Sequence, residues 1–463
     1  MQLSLPDYSI ILLYLIAVIA IGFYKKNKNS SSTEYILSGR KLTLPLFIAT
    51  LVATWYGLIL GVGEFVYSQG IVAWVCMGLP YYAAAVGFSI LIAGKIRTSN
   101  VLSIPDLLSR KYGRETGLIG SFLVLIISIP AAYILMLGVL VEMMTGFALS
   151  SSIILGALLS ICSLFTGGFE ADVKTNTLQF ILMYLGFGAL FVFAVITYGS
   201  PGSMFSRLPE SHTHLLGNAS WQVVCTWAII SLQTFIDPSF HQRSAAAITP
   251  DVARKGILLS VGCWIVFDFL TITTGLYARA YISTEPLLAF PALGAAILPP
   301  VWRGLFAVSL LATVMSSLNS YAFLSAVTIG NDIIYQLVKR KTATYWTRIG
   351  LAVTTIVGIV MAILLPSAVQ LIYKTASVAV PGLLLPILSG YRLRQHLSPR
   401  GLITMMCASS CVSLVWMIMP IIPVIPVPVQ DFFASIEPMI PGIVISIVLY
   451  SIFALTYRQK QAS

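Results

Sequence analysis

The sequence predicts an all-α polytopic membrane protein, and three observations predict it. Apolar residues make up 58% of the chain and charged ones only 9%, with a mean hydropathy of +0.92; a soluble globular protein could not carry that composition on its surface. Windows of about 20 apolar residues, the length of a bilayer-crossing helix, recur from end to end. The alternating segments of about 10 residues that mark a transmembrane barrel do not recur, so the spans are helices.

In order, the spans are expected near 8–23, 43–68, 71–94, 117–141, 150–165, 175–197, 220–247, 256–280, 302–330, 346–365, 367–390, 402–420 and 440–456, about 13 transmembrane helices in all. The first lacks a small-residue cleavage site and reads as a retained helix, not a signal peptide. The longer connections, 198–219, 281–301 and the proline-rich 420–441, are expected to be caps or short surface helices. No segment is long enough for a separate soluble domain, so residues 1–463 form a single transmembrane domain and a fused sensor kinase is excluded.

An odd number of spans puts the termini on opposite sides. With the N-terminus outside and the C-terminus cytoplasmic, the inner loops hold 23 of the 27 Lys and Arg residues, among them Lys25, Lys26, Lys28, Lys339, Arg392 and Arg394. The exceptions are Arg207, Arg279, Arg303 and Lys374. That asymmetry follows the positive-inside rule, and it explains the net charge of +11 by loops facing an anionic lipid leaflet and not by a nucleic-acid partner. The six cysteines lie in apolar segments without disulfide or zinc spacing. His212 and His214 lack a third ligand, so no metal site beyond sodium is expected. No nucleophile–base pair stands at catalytic spacing, so no enzyme activity is expected; nor is an obligate protein partner evident.

Two spans are interrupted. The second carries Thr54-Trp55-Tyr56-Gly57 followed by Gly61, Gly63 and Glu64; the seventh carries Asp237-Pro238, where proline removes a donor and turns the preceding residue out of helical geometry. Counted from the second span, these are the first and sixth helices. That is the spacing of two five-helix halves, 42–197 and 219–390, in an inverted repeat, with span 8–23 added before them and 402–456 after. Two unrelated kinks remain the alternative.

Within the ninth span, Thr313, Ser316 and Ser317 share one helical face at membrane depth. Their oxygens suit a small hard cation. Small hydroxyl residues also serve close helix packing or bond back to their own helix, and these residues alone leave both readings open.

Three stretches resemble the sodium:solute symporter family: Ser316-Ser317-Leu318-Asn319-Ser320 running on to Asp332 and Tyr335, Gly167–Gln179 (GGFEADVKTNTLQ), and Val52–Gly57 (VATWYG). The resemblance implies a LeuT-type fold of five plus five helices, with one extra N-terminal and two extra C-terminal helices, and Na⁺ as the coupling ion. It implies a sodium site made of the carbonyls of Ala53, Tyr56 and Thr313 and the hydroxyls of Ser316 and Ser317. Five neutral oxygens can replace a hydration shell without binding the ion too tightly to release it. Asn176 stands where the family motif carries Asp, and Asp172 stands where it carries Val. Asn176 supplies a dipole and no charge, so one Na⁺ per solute is expected.

Ionisable groups at membrane depth are functional candidates by default, and here they are Glu64, Asp237, Asp268 and Lys374. Lys374 stands to bind a substrate carboxylate, pair with Asp237 or Glu64, act as a proton-linked switch, or snorkel to the headgroups. The expected function is secondary active uptake of a small polar organic solute in a cell membrane, and the chain's short, spare loops point to a bacterium. The solute is expected between the two breaks, against Trp55, Tyr56, Phe235, Asp237, Phe240 and Lys374. A proton-coupled symporter on the same fold and a non-transporting solute sensor are the alternatives.

Overall fold

In a bilayer an unpaired backbone amide has no water to turn to, so each apolar window has to fold as a helix. A computed structural model describes residues 3–23, 31–162, 164–338, 340–365, 367–391 and 397–462, and among them the chain is helical with one isolated backbone bridge, Leu42 to Ala247. Lys25, Lys26, Lys28, Lys339, Arg392 and Arg394 lie outside the described residues. The principal helices are α1 (Leu5–Gly22), α2 (Leu44–Trp55), α3 (Ile59–Gln69), α4 (Val72–Thr98), α5 (Arg114–Thr145), α6 (Leu149–Ile161), α7 (Gly167–Tyr198), α8 (Trp221–Ala246), α9 (Pro250–Tyr281), α10 (Trp302–Val338), α11 (Ala343–Leu364), α12 (Leu371–Tyr391), α13 (Pro399–Ile421) and α14 (Met439–Thr456).

Among the described residues, 11 helices are long and apolar enough to cross a membrane, and α2 with α3, bent by 58°, makes a twelfth. The expected thirteenth span is α6. It has only 13 residues, roughly 20 Å of helix against a hydrocarbon core of about 30 Å. The connections between spans carry short helices, including Pro201–Phe205, Ala289–Ile297 and Val427–Ser435.

Both predicted interruptions are present. After Trp55, Tyr56 (φ −94°, ψ 24°) and Leu58 (φ −94°, ψ 32°) leave helical geometry, so the last carbonyls of α2 lose their intrahelical donors. In α8 the segment Trp221–Ile230 tightens into a turn at Ser231–Ile236, and Asp237 is extended (φ −66°, ψ 115°). Pro238 then opens the second half, at the one helical position where a missing N–H costs nothing. The Asp237 carboxylate caps that half, accepting from the amide of Ser239 at 2.7 Å.

Helix α10 is the axis of the bundle, buried on all faces and flanked by α1, α2, α7 and α11. Its N-terminus is held by a remote cap, since Asp7 of α1 accepts from the amides of Val301 (2.9 Å) and Gly304 (2.8 Å). Against α7 it approaches so closely that a Cβ on Gly186 would lie 2.2 Å from Ser309. At one end of the bundle the start of α2 and the end of α8 are tied together. There the Leu42 amide donates to the Ala246 carbonyl and the Ile248 amide to that of Leu42, both at 3.0 Å. Arg40 donates to the carbonyls of Ala245 (3.2 Å) and Val101 (3.1 Å), and Arg97 to that of Ala247.

Candidate ion and solute sites

Where α2 breaks, its orphaned carbonyls meet hydroxyls from α10. Ser316 Oγ donates to the carbonyl of Ala53 and lies 3.2 Å from that of Thr313, while Ser317 Oγ donates to the carbonyl of Thr54 at 2.6 Å. Both serines are fully buried. Gly57 makes the approach possible: a Cβ there would fall 2.4 Å from Cβ of Ser317. Thr313 uses its own hydroxyl on the Ser309 carbonyl at 2.6 Å. The hydroxyls of the serine pair thus cross to the broken helix. Four of the five expected sodium ligands, Ala53, Thr313, Ser316 and Ser317, lie in this cluster, and Tyr56 stands beside it at the break. Every oxygen in it is neutral.

One turn along α10, around Ser320, the chemistry changes. Asp172 of α7 and Arg243 of α8, both fully buried, pair at 3.4 Å. The same Arg243 Nη2 donates to Thr54 Oγ1 (2.7 Å), Ser320 Oγ (2.9 Å) and Thr50 Oγ1 (3.0 Å), and Ser320 donates to Asp172 at 2.8 Å. Asn176 donates to Thr50 Oγ1 at 2.9 Å. The sequence contains both residues, but they are 71 positions apart and no spacing announces the pair.

The main cavity lies between the two breaks and offers about 180 Å³. Sites that take drug-sized ligands are larger. Trp55 and Tyr56 line it from α2, Trp74 and Tyr81 from α4, Tyr133 from α5, and Tyr321 from α10. Asp237 and Asp268 supply its charges. Asp237 accepts from Tyr321 Oη at 2.5 Å. Asp268 of α9 accepts from Tyr56 Oη at 2.9 Å on one oxygen and from Tyr82 Oη on the other.

Three of the expected solute-contacting residues are not in the cavity wall. Phe235 and Phe240 are buried behind it, Phe240 edge-on to Trp55 with centroids 5.5 Å apart and Phe235 against Phe88 at 6.1 Å. Lys374 is exposed and absent from the lining, although its neighbours Tyr373 and Thr375 belong to it. Successive helical residues are rotated by about 100°, so the lysine faces away from the wall that its neighbours form. It makes no ion pair with Asp237 or Glu64 among the described residues, and Glu64 is itself exposed. Asp268, by contrast, takes a place in the cavity that its sequence context did not distinguish from a helix-to-helix bond. Among the described residues no group of three His, Cys, Asp or Glu side chains is placed to hold a metal ion.

The model of the sodium:solute symporter family matches residues 35–388. The high-affinity proline transporter of Bacillus subtilis is 24% identical over 381 residues, 74% of this chain and 78% of that protein. The sodium/pantothenate symporter of Escherichia coli is 24% identical over 378 residues, 74% of this chain and 76% of its own length. A substrate-bound, outward-open Na⁺-coupled sialic acid symporter superposes with a TM-score of 0.79 at 14% identity, covering 98% of both chains; at that identity the likeness establishes the fold, which is LeuT-type. The chain belongs to the sodium:solute symporter family, and its function is sodium-coupled solute symport.

Proposed function

We propose that the chain takes up a small polar organic solute with one Na⁺, held by the carbonyls of Ala53, Tyr56 and Thr313 and the hydroxyls of Ser316 and Ser317. The observation that carries this reading is the meeting of the serine hydroxyls with carbonyls freed by the break in α2. Hydroxyl protons that point at carbonyls would turn aside for a cation, leaving only lone pairs directed inward. No carboxylate needs to be neutralised, so release depends on rehydration alone.

Coupling follows from the shared end of α2. Ala53 belongs to the ion cluster, and two residues later Trp55 and Tyr56 form part of the solute wall. An ion that fixes the carbonyls of α2 also fixes the start of that wall, and a solute pressing on Trp55 favours the same geometry. The two five-helix halves, 42–197 and 219–390, would carry alternating access by moving against each other around this point. With the N-terminus outside, the end closed by Leu42, Arg40 and Arg97 faces the cytoplasm, and the protein sits in the cell membrane of a bacterium.

One Na⁺ is favoured over two by the charged cluster. Asn176 brings no charge, and the carboxylate nearest to it, Asp172, is neutralised by Arg243. The reading is tested by the thermal shift that Na⁺ alone gives the purified protein, since a ligand of the native state stabilises it by mass action. Wild type should respond and Ser316→Ala/Ser317→Ala should not. Equal responses would remove the serine pair from the ion site.

A further inference from the structure

Charge in the cavity is one-sided. Among the described residues that line it there are two carboxylates, Asp237 and Asp268, and no Lys, Arg or His. Neither carboxylate forms an ion pair. Both are met by hydroxyl donors, Tyr321 on Asp237 and Tyr56 and Tyr82 on Asp268, an arrangement suited to ionised carboxylates that have no ion-pair partner. Of the nearby basic groups, Arg243 sits six residues beyond Asp237 but spends its hydrogen bonds on Asp172 and on neutral oxygens, and Lys374 faces outward. His241 is turned to the Phe235 carbonyl at 2.9 Å.

The break in α8 excludes the other sign. A helix N-terminus at a midplane break is a ready site for a cargo carboxylate. Here the amides of Ser239 (2.7 Å) and Phe240 (3.4 Å) already point at Asp237 Oδ1. An anionic or zwitterionic cargo would therefore bring its carboxylate against Asp237, with no cation in the wall to receive it. The wall is instead rich in aromatic side chains, Trp55, Trp74, Tyr133, Tyr321 and Tyr373, and an aromatic face attracts a poorly hydrated cation.

The same conclusion comes from the local charge balance between the cavity and the neighbouring cluster at Ser320. Asp172, Asp237 and Asp268 stand against the single guanidinium of Arg243, a deficit of two positive charges. One Na⁺ supplies one. We propose that the cargo supplies the other: the cavity takes a small organic monocation, with Asp268 and Asp237 as its countercharges and the aromatic wall as its cage. This rests on the symport reading above, and it replaces a cargo carboxylate bound by Lys374 with a cargo cation bound by aspartate.

The test is binding to the full-length purified protein, read by isothermal calorimetry in NaCl and in matched KCl. The probes are choline and ethanolamine as cations, 3,3-dimethyl-1-butanol as the uncharged isostere of choline, proline as a zwitterion and pantothenate as an anion. The proposal expects at least one of the two cations to bind in Na⁺ and the other three probes not to. Asp268→Asn, which keeps the shape and an acceptor for the tyrosines, should weaken that cation at least about tenfold, and a thermal melt of the same variant shows whether it is folded. Tight Na⁺-dependent binding of proline, pantothenate or the uncharged isostere overturns the cation class, as does failure of both cations to bind. The response of the solute-free protein to Na⁺ is recorded in the same samples. If Na⁺ stabilises it and the cations fail, the cargo class is wrong and the ion site stands; if Na⁺ has no effect, the symport reading itself fails.

Discussion

Two polar clusters lie one helical turn apart on α10, and they differ in one respect. At Ser316 and Ser317 the oxygens that converge are all neutral and all directed at the end of a broken helix. At Ser320 the oxygens converge on a guanidinium already in place, beside a carboxylate that it neutralises. The first cluster has room in its electrostatics for a mobile cation. The second has filled that room with a tethered one. Oxygen count alone does not make an ion site; what matters is whether a fixed charge has already been supplied.

The most severe way to break the contrast is to remove the tethered cation. Arg243→Met leaves Asp172 buried without its partner, which should lower stability by about 3–5 kcal/mol, measured by denaturation in detergent. Arg243→Met with Asp172→Asn should recover most of that loss, because the uncompensated charge goes with it. If the single variant is as stable as wild type, the pair does not hold the cluster closed.

A smaller structural effect with a larger functional one is expected at the neutral cluster. Ser316→Ala/Ser317→Ala forfeits two hydrogen bonds, on the order of 1 kcal/mol each, while sodium-dependent solute binding should vanish. A double variant that still binds solute in a sodium-dependent way would mean the serines serve packing alone. The finest adjustment is Asn176→Asp, which puts a second carboxylate beside Arg243 and Ser320. It should steepen the sodium dependence, raising a Hill coefficient near one, by creating a second, weaker site. An unchanged curve would show that Arg243 can neutralise both carboxylates or that the added one is out of reach.

The sequence carried these two clusters unequally, for physical reasons. The serine pair was legible because its spacing sets both hydroxyls on one helical face, and the breaks because Pro238 and Gly57 act on their immediate neighbours. The helices were legible because lipid enforces a long apolar window; only α6 fell short, since an apolar run shows where a helix is permitted and not where its ends lie. The Asp172–Arg243 pair joins residues 71 positions apart and leaves no local trace. The role of Lys374 stayed open for a related reason. Its depth in the membrane could be read, but the direction it faces depends on how α12 is rotated against α5, α8, α13 and α14. The cavity wall, assembled from many helices, has that character throughout, and Asp268 could be recognised as part of it only after Tyr56 and Tyr82 were seen to meet there.

Whether the neutral cluster binds the ion and the charged cluster does not can be read by counting ²²Na⁺ bound to the purified protein at equilibrium, with no solute present. The prediction is a hyperbolic curve saturating at one ion per chain, lost in Ser316→Ala/Ser317→Ala. Saturation at two ions per chain, or a single site that survives the double substitution, would contradict it.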